Sequence, residues 1–350
     1  MRETDTGQDR YSRIYRKTMD DFICFMAHWE LTYKCNLGCR HCYAAGVKGR
    51  QEFSYEKARS VIDELKNMGC LYLTFSGGEV LMRDDFFDIA SYAREQGFAL
   101  RLMTNATLID ETVSGKIASL HPLAVETSIY AADKGLHDAI TFSPGSFDKT
   151  IKAAALLRDR KIKVVLKFLI MNDNIGEFRA VESLAGEIGA DFVFDYCVVG
   201  RNDGSKGPLK HRLNGEKIKD FFVSNNIPLK KREADGDALL CIAGFNNIFI
   251  TPHLDVYPCI GLNVKLGSLY EERLEDIWRS SAGLKFVRNI KLPDLPECKR
   301  CGLAQFCFRC SGIALSEDGD IFGPSNFDCS VAKAIGEIVA ERKELISDER

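Results

Sequence analysis

Thirteen cysteines in 350 residues, ten of them set in two groups, constrain this chain more than any other feature. Cys35, Cys39 and Cys42 stand together near the start, and Cys241, Cys259, Cys298, Cys301, Cys307, Cys310 and Cys329 fill the last third. A reducing cytosol does not store so many thiols as disulfides, so they are expected to be metal ligands or buried thiols. The segment from Met1 to Thr18 is polar and charged, without the apolar stretch of a signal peptide, and no run approaches the roughly 20 apolar residues of a membrane span. A cytoplasmic protein that touches no membrane is the expectation. Interspersed basic and acidic residues, 47 against 50, give a net charge of -3 and none of the basic blocks of a nucleic-acid binder. Cys24 and Cys70 fall in apolar, strand-like runs and read as plain buried thiols, while Cys197 stands apart.

With 45% hydrophobic residues the chain can bury a full core. From residue 23 to 199, short apolar runs alternate with longer segments of helical period, which is the pattern of repeated βα units and a parallel sheet. Strands are predicted at 23–31, 70–75, 99–104, 124–130, 162–171 and 191–198, and helices at 54–68, 85–96, 110–120, 147–160 and 175–188. In the first of these helices Ala58, Val61, Ile62, Leu65 and Met68 recur at three- and four-residue spacing until Gly69 ends the pattern. Six units are two short of a closed barrel. The expected fold class is therefore α/β, a partial (βα)6 TIM-like barrel, open on one side, with its chemistry at the C-terminal ends of the strands. Around it the chain divides into an N-terminal extension (1–22), the barrel (23–199), a linker with a helix near 215–224 (200–240) and a cysteine-rich domain (241–350). That last region carries predicted strands at 247–251 and 255–258, a helix at 274–279 and a closing helix at 331–345. With little periodicity of its own, the stretch 241–329 is expected to owe its order to bound metal.

The run Cys35-Asn-Leu-Gly-Cys39-Arg-His-Cys42 follows directly on the first predicted strand, so three thiols converge in one loop at the top of the sheet. A structural zinc site normally takes four protein ligands. Here there are three, and His41 is too constrained by its neighbours to be the fourth. A [4Fe-4S] cluster normally takes four thiolates, so three would leave one iron open to a small molecule. This spacing resembles the radical S-adenosylmethionine (SAM) family, and Ser76-Gly77-Gly78-Glu79, at the end of the second predicted strand, matches that family's Gly-Gly-Glu motif. The resemblance implies a catalytic [4Fe-4S] cluster on Cys35, Cys39 and Cys42, with the amino and carboxylate groups of SAM on the open iron. It implies reductive cleavage of SAM to a 5′-deoxyadenosyl radical, fed by a low-potential donor, flavodoxin or ferredoxin. It further implies that Gly77 and Gly78 admit the methionine moiety and that Glu79 pairs with its ammonium group. Thr104, Asn105 and Ser128 would make polar contacts to SAM, and His41 would lie near adenine. Glu126 shares a strand face with Ser128, Asp195 with Cys197, and Lys167 is a charge inside an apolar run. Each is a candidate for positioning substrate or moving a proton, with a paired structural role as the alternative.

The pattern Cys298-x2-Cys301-x5-Cys307-x2-Cys310, with Cys241 and Cys259 before it and Cys329 after it, reads as a metal-binding region, with a zinc ribbon as the plain alternative. The order of all seven resembles the SPASM extension of a large subgroup of radical SAM enzymes, and Val256-Tyr257-Pro258-Cys259, Leu266-Gly267-Ser268-Leu269 and Ile277-Trp278 agree with it. That resemblance implies two auxiliary iron–sulfur clusters, an outer one on Cys298, Cys301, Cys307 and Cys329 and an inner one on Cys241, Cys259 and Cys310. The inner site lacks an evident fourth cysteine, and an open or substrate-ligated iron is favoured over a non-cysteine ligand or Cys197. Leu254, in place of a common Gly, and the short step from Cys307 to Cys310 depart from many members. Enzymes of this subgroup mostly modify peptides or proteins, so the resemblance implies maturation of a ribosomally made peptide by crosslinking, thioether formation, oxidation or decarboxylation. Ile260 stands where a sulfatase-maturing relative has Asp, and Ser311-Gly312-Ile313 lacks the Arg-rich run of the haem-biosynthesis branch. Sulfatase-type oxidation and haem or other cofactor biosynthesis are the alternatives. Residues 1–22 are too few for the leader-binding domain many peptide maturases carry, so leader recognition is expected to use a separate leader-binding protein, the SPASM region itself, or nothing.

Overall fold

Six apolar runs form parallel strands that pair in chain order: β1 Met26–Glu30, β2 Tyr72–Ser76, β3 Ala99–Thr104, β4 Ala124–Ile129, β5 Val164–Leu169 and β6 Asp191–Asp195. The structure is a computed structural model and describes residues 7–45, 52–229 and 241–348; the start of the N-terminal extension, residues 46–51 after Cys42 and the end of the linker, 230–240, lie outside these. Helices α1 Gly7–Asp20, α2 Tyr55–Asn67, α3 Phe86–Glu95, α4 Glu111–Ser119, α5 Lys134–Thr141, α6 Ser146–Asp159 and α7 Phe178–Ile188 precede or separate the strands. Local sequence explains their limits. The Ser54 side chain caps α2 at the Lys57 N–H, the apolar face Ala58, Val61, Ile62 and Leu65 is buried, and Gly69 with φ +84° turns the chain into β2. Asp110 and Asp133 cap α4 and α5 in the same way.

One face of the sheet, with Leu73, Phe75, Leu100, Leu102, Leu166 and Phe168, is sealed under the helices. Residues of the other parity, among them His28, Thr74, Arg101 and Lys167, are only part-buried and face the hollow side. The sheet does not close on itself: β6 ends it on one side.

On the other side the sheet runs across the boundary placed at residue 241. β7 Asn247–Ile250 pairs parallel with β1, and β8 Asp255–Tyr257 and β9 Gly267–Ser268 follow antiparallel, giving the order β6-β5-β4-β3-β2-β1-β7-β8-β9. The physical reason lies in β7 itself, whose Ile248, Phe249 and Ile250 are all buried. Such a strand needs cover on both faces, and the free edge of β1 supplies its place.

The remaining α-helices among the described residues are α8 Gly215–Ser224, α9 Leu274–Ser280, α10 Ala282–Arg288, the single turn α11 Ser311–Ile313 running into a π-helical turn Ala314–Asp318, and α12 Asn326–Asp348. The closing helix thus starts before the predicted 331, which puts Cys329 in its first turn. Helix α1 was not foreshadowed by its polar composition. It docks at the closed end of the barrel, where Asn246 Nδ2 donates to the buried Thr18 Oγ1 (3.0 Å) and Trp278 Nε1 donates to the Phe22 carbonyl (2.7 Å). A cleft of about 370 Å³ beside it, lined by Phe22, Cys24, Trp278 and Arg288, lies at the strand N-termini, away from the Cys35–Cys42 loop. Among the described residues no helix is long and apolar enough to cross a membrane.

Candidate active site

The chain leaving β1 is zipped to the chain leaving β2. Leu31 N–H donates to Ser76 O, Gly78 N–H to Thr32 O and Glu79 N–H to Lys34 O, each at 2.8 Å. A Cβ on Gly77, whose φ is +149°, would lie 2.3 Å from Thr32 O, and one on Gly78 would lie 2.3 Å from Lys34 O. The space that a side chain would take is therefore filled by the backbone that leads into Cys35. Both positions need glycine for this contact, whatever they do for a ligand.

Glu79 is buried, and its carboxylate accepts from Thr104 Oγ1 (2.7 Å) and the N–H groups of Leu81 (3.2 Å) and Asn105 (2.7 Å). The Asn105 side chain then donates to Asn36 Oδ1 (2.9 Å) and reaches Cys35 Sγ at 3.8 Å. Glu79, Thr104 and Asn105, three residues singled out as SAM contacts, thus form a brace between the ends of β2 and β3 and the first cysteine. Burial raises the Glu79 carboxyl above the usual carboxylate range.

Cys35, Cys39 and Cys42 lie within electrostatic reach of one another. Burial, with Cys42 and Cys35 adding to it, pushes the Cys39 thiol up to about 12, and the Tyr130 hydroxyl touches it. Ser128 in turn bonds Tyr130. His41 is buried with its ring against Tyr130 (centroids 4.6 Å apart), and burial and then His211 lower it to about 4, so it is a neutral imidazole.

Residues beyond the expected set complete the loop's surroundings. Arg40 Nη1 donates to Asp173 Oδ1 (2.8 Å), whose Oδ2 bonds His211 Nδ1 (2.6 Å), tying the cysteine loop to the exit of β5 and to the turn before α8. Tyr43 donates to Glu30 Oε1 (2.5 Å), and Glu30 Oε2 is buried without a hydrogen-bond partner among the described residues. These pairs join positions 13, 38 and 133 residues apart, and no local pattern announces them.

Burial raises the Glu30 carboxyl to about 7. The sign of its effect follows: the folded state holds this proton more tightly, so the contribution is full below the unfolded carboxylate range and is lost as pH rises through about 7. Glu30→Gln is expected to flatten the fall in thermal stability between pH 6 and 8, removing a dependence on the order of 1 kcal/mol. Melting curves of both proteins at the two pH values test this, and parallel slopes would count against Glu30 as the titrating group.

In the hollow side, Glu126 is held by Arg101 and, at 3.0 Å, by Lys167. Burial alone would raise its carboxyl, but the two cations outweigh burial and hold it below the usual range. Of the two roles expected for Glu126 and Lys167, the geometry displays the ion pair. Asp195 is exposed, and its Oδ1 accepts from the Cys197 N–H (2.8 Å). His28 Nε2 and Ser76 Oγ meet at 2.5 Å on the same side.

The later cysteines fall into two neighbourhoods. Cys259 lies in electrostatic reach of Cys241 and Cys310, while Cys329 lies in reach of Cys298 and Cys301, and Cys307 in reach of Cys329 and Cys298. Each neighbourhood gathers cysteines that chain order assigns to one set. Among the described residues no three Cys, His, Asp or Glu donors clasp a single ion.

The profile of the radical SAM superfamily matches residues 29–185, and that of the SPASM iron-sulfur cluster-binding domain matches residues 241–302. This chain belongs to the radical SAM superfamily and carries a SPASM domain. Its cofactors are SAM with a [4Fe-4S] cluster, together with auxiliary iron–sulfur clusters in the SPASM region. The AdoMet-dependent heme synthase of Methanosarcina barkeri is 27% identical over 83% of this chain and 92% of its own. The mycofactocin maturase of Mycobacterium tuberculosis is 27% identical over 84% of this chain and 79% of its own. Among solved structures, SuiB of Streptococcus suis bound to S-adenosylmethionine superposes with a TM-score of 0.69 at 18% identity, covering 92% of this chain and 81% of that one. The anSMEcpe structure with bound AdoMet gives 0.68 at 17% identity, covering 93% and 99%. At such identities the structures speak for the fold.

Proposed function

We propose that this radical SAM enzyme modifies a peptide or protein that presents a carboxylate to the hollow side of the barrel. The observation that carries the reading is the charge arrangement there. Arg101 and Lys167, with side chains 43% and 42% exposed, flank the carboxylate of Glu126 on the hollow side, two cations to one anion in that cluster. When bound, the cluster supplies the electron that splits SAM into methionine and a 5′-deoxyadenosyl radical, which takes a hydrogen atom from the substrate. In this reading Cys35, Cys39 and Cys42 hold that cluster, and Asn105 steadies Cys35. Glu79 keeps Asn105 in place and offers its remaining lone pairs to the SAM ammonium group. Arg101 and Lys167 orient the substrate. The likeness to the mycofactocin maturase supports a peptide. A second reading, an iron porphyrin as substrate, is favoured by the likeness to heme synthase over 92% of that protein's length, and a porphyrin's acid side chains would suit the same two cations.

Reduced, iron-loaded protein with SAM should yield methionine and 5′-deoxyadenosine in equal amounts, faster with the true substrate. Candidates are peptides from short reading frames beside the gene, and iron-coproporphyrin III. Arg101→Met and Lys167→Met should each raise the substrate KM about 10-fold, the loss of one charge-assisted contact, and leave substrate-free SAM cleavage unchanged. No 5′-deoxyadenosine at full iron loading would overturn the reading. Stimulation by the porphyrin alone would replace the first substrate with the second.

A further inference from the structure

Three inner thiols, those of Cys241, Cys259 and Cys310, leave one corner of a cubane without a cysteine. Between Cys197 and Cys241 the sequence contains no other cysteine. Cys24 and Cys70 are buried at the closed end of the barrel, and the remaining cysteines belong to the N-terminal triad or the outer set. Cys197 alone is unassigned, and the fold delivers it to the inner set.

Cys197 follows β6, where the chain passes from the barrel toward the C-terminal region. Both of its neighbours are fastened to that region. The Tyr196 ring packs on Phe327 (6.5 Å) and Phe222 (5.7 Å). Arg212 Nε donates to the Val198 carbonyl (2.6 Å), while its guanidinium bonds Glu317 (Nη1 to Oε2, 2.8 Å) and sits over the Phe327 ring at 4.3 Å. The Arg212–Glu317 pair is nearly buried, with side chains 10% and 13% exposed. On the facing side, Asp328, next to Phe327, accepts from the Cys310 N–H (2.8 Å). The same short segment of α12 therefore anchors both Cys197 and Cys310, and the two thiols lie within electrostatic reach.

We propose that Cys197, delivered by the sixth barrel strand, is the fourth ligand of the inner auxiliary cluster, with Cys241, Cys259 and Cys310. This rests on reading those three as one cluster site. A cluster closed at all four corners by thiolates has no iron free for substrate, so its role is to pass electrons. The open iron of the protein is then confined to the Cys35–Cys39–Cys42 site, against the expectation of an open or substrate-ligated inner cluster.

The test uses the full chain with Cys35, Cys39 and Cys42 all replaced by Ala, which removes the N-terminal cluster, together with the native holoenzyme saturated with SAM to cover its open iron. Each is reduced, exposed to ¹³C-labelled cyanide and examined by electron paramagnetic resonance for ¹³C coupling. No coupling is expected in either protein. Adding Cys197→Ala to each should make coupling appear, because a vacated corner takes the exogenous ligand. Coupling in the proteins that retain Cys197 would overturn the proposal, and so would its absence from the Cys197→Ala proteins at full iron content. If Cys197→Ala loads about four irons fewer, Cys197→Ser, which keeps an oxygen ligand, should restore them with an altered spectrum; an unaltered spectrum would count against ligation. Should the triad variant bind no iron at all, it is the underlying assignment of the C-terminal cysteines that fails.

Discussion

Gly78→Ala is expected to abolish loading of the N-terminal cluster while the C-terminal clusters still form. The added methyl would lie 2.3 Å from Lys34 O and 2.7 Å from Tyr33 O, and both obstacles are backbone. Relief must come from moving residues 33 and 34, which breaks the bond from Glu79 N–H to Lys34 O and displaces Cys35 immediately after it. Overpacking of this kind costs about 3 kcal/mol. The strain falls on a loop whose three thiols must converge on one cluster, so the loss appears in metal loading before it appears in overall folding. With three cubanes bound, iron should drop from about twelve to about eight per chain. Gly115→Ala is the control: it lies in α4 with nothing within 4 Å of its Cβ position, so it should load fully and be stabilised by about 0.5–1 kcal/mol. Full loading of Gly78→Ala would mean that the zipped strand exits are not what positions Cys35.

The contrast between these glycines shows what the sequence makes legible. Ser54, the apolar spacing through Leu65 and Gly69 define α2 within a few residues of one another, so its limits can be read locally. The alternation that places Glu126 and Ser128 on one face is just as local, and it holds. What the alternation cannot carry is the partner: Arg101 is on the neighbouring strand, and its choice of Glu126 depends on the register between β3 and β4. The same limit explains β7. Asn-Ile-Phe-Ile reads as one arm of a hairpin, which it is, but its second partner is β1, more than two hundred residues earlier. Around the cysteine loop, Asp173 and His211 lie on separate turns and become a pair only when β5 and the segment before α8 meet. The cysteines are readable for the opposite reason: their spacing along the chain survives whatever the loops between them do.

Glu79→Gln separates the two roles of a single carboxylate. As a brace it accepts three hydrogen bonds, two on Oε1 from Thr104 and Leu81 and one on Oε2 from Asn105. Glutamine keeps the shape but has one accepting oxygen, so with that oxygen toward Thr104 and Leu81 its NH2 faces the Asn105 N–H, donor against donor. The unpaired buried donor costs about 1–3 kcal/mol. Turning the amide round only moves the mismatch, because its NH2 then faces the Leu81 N–H, again donor against donor. As the partner of the SAM ammonium group, the same substitution removes a full negative charge in a buried setting, which should weaken SAM binding about 10- to 100-fold. Thr104→Val loses one bond of the brace and keeps the charge. It should lower the melting temperature as Glu79→Gln does, yet change SAM affinity by no more than about threefold. Anaerobic SAM titrations of both variants at full iron loading decide the matter. Equal losses of affinity would make Glu79 a brace alone, whereas a loss confined to Glu79→Gln would place its charge against the SAM ammonium group.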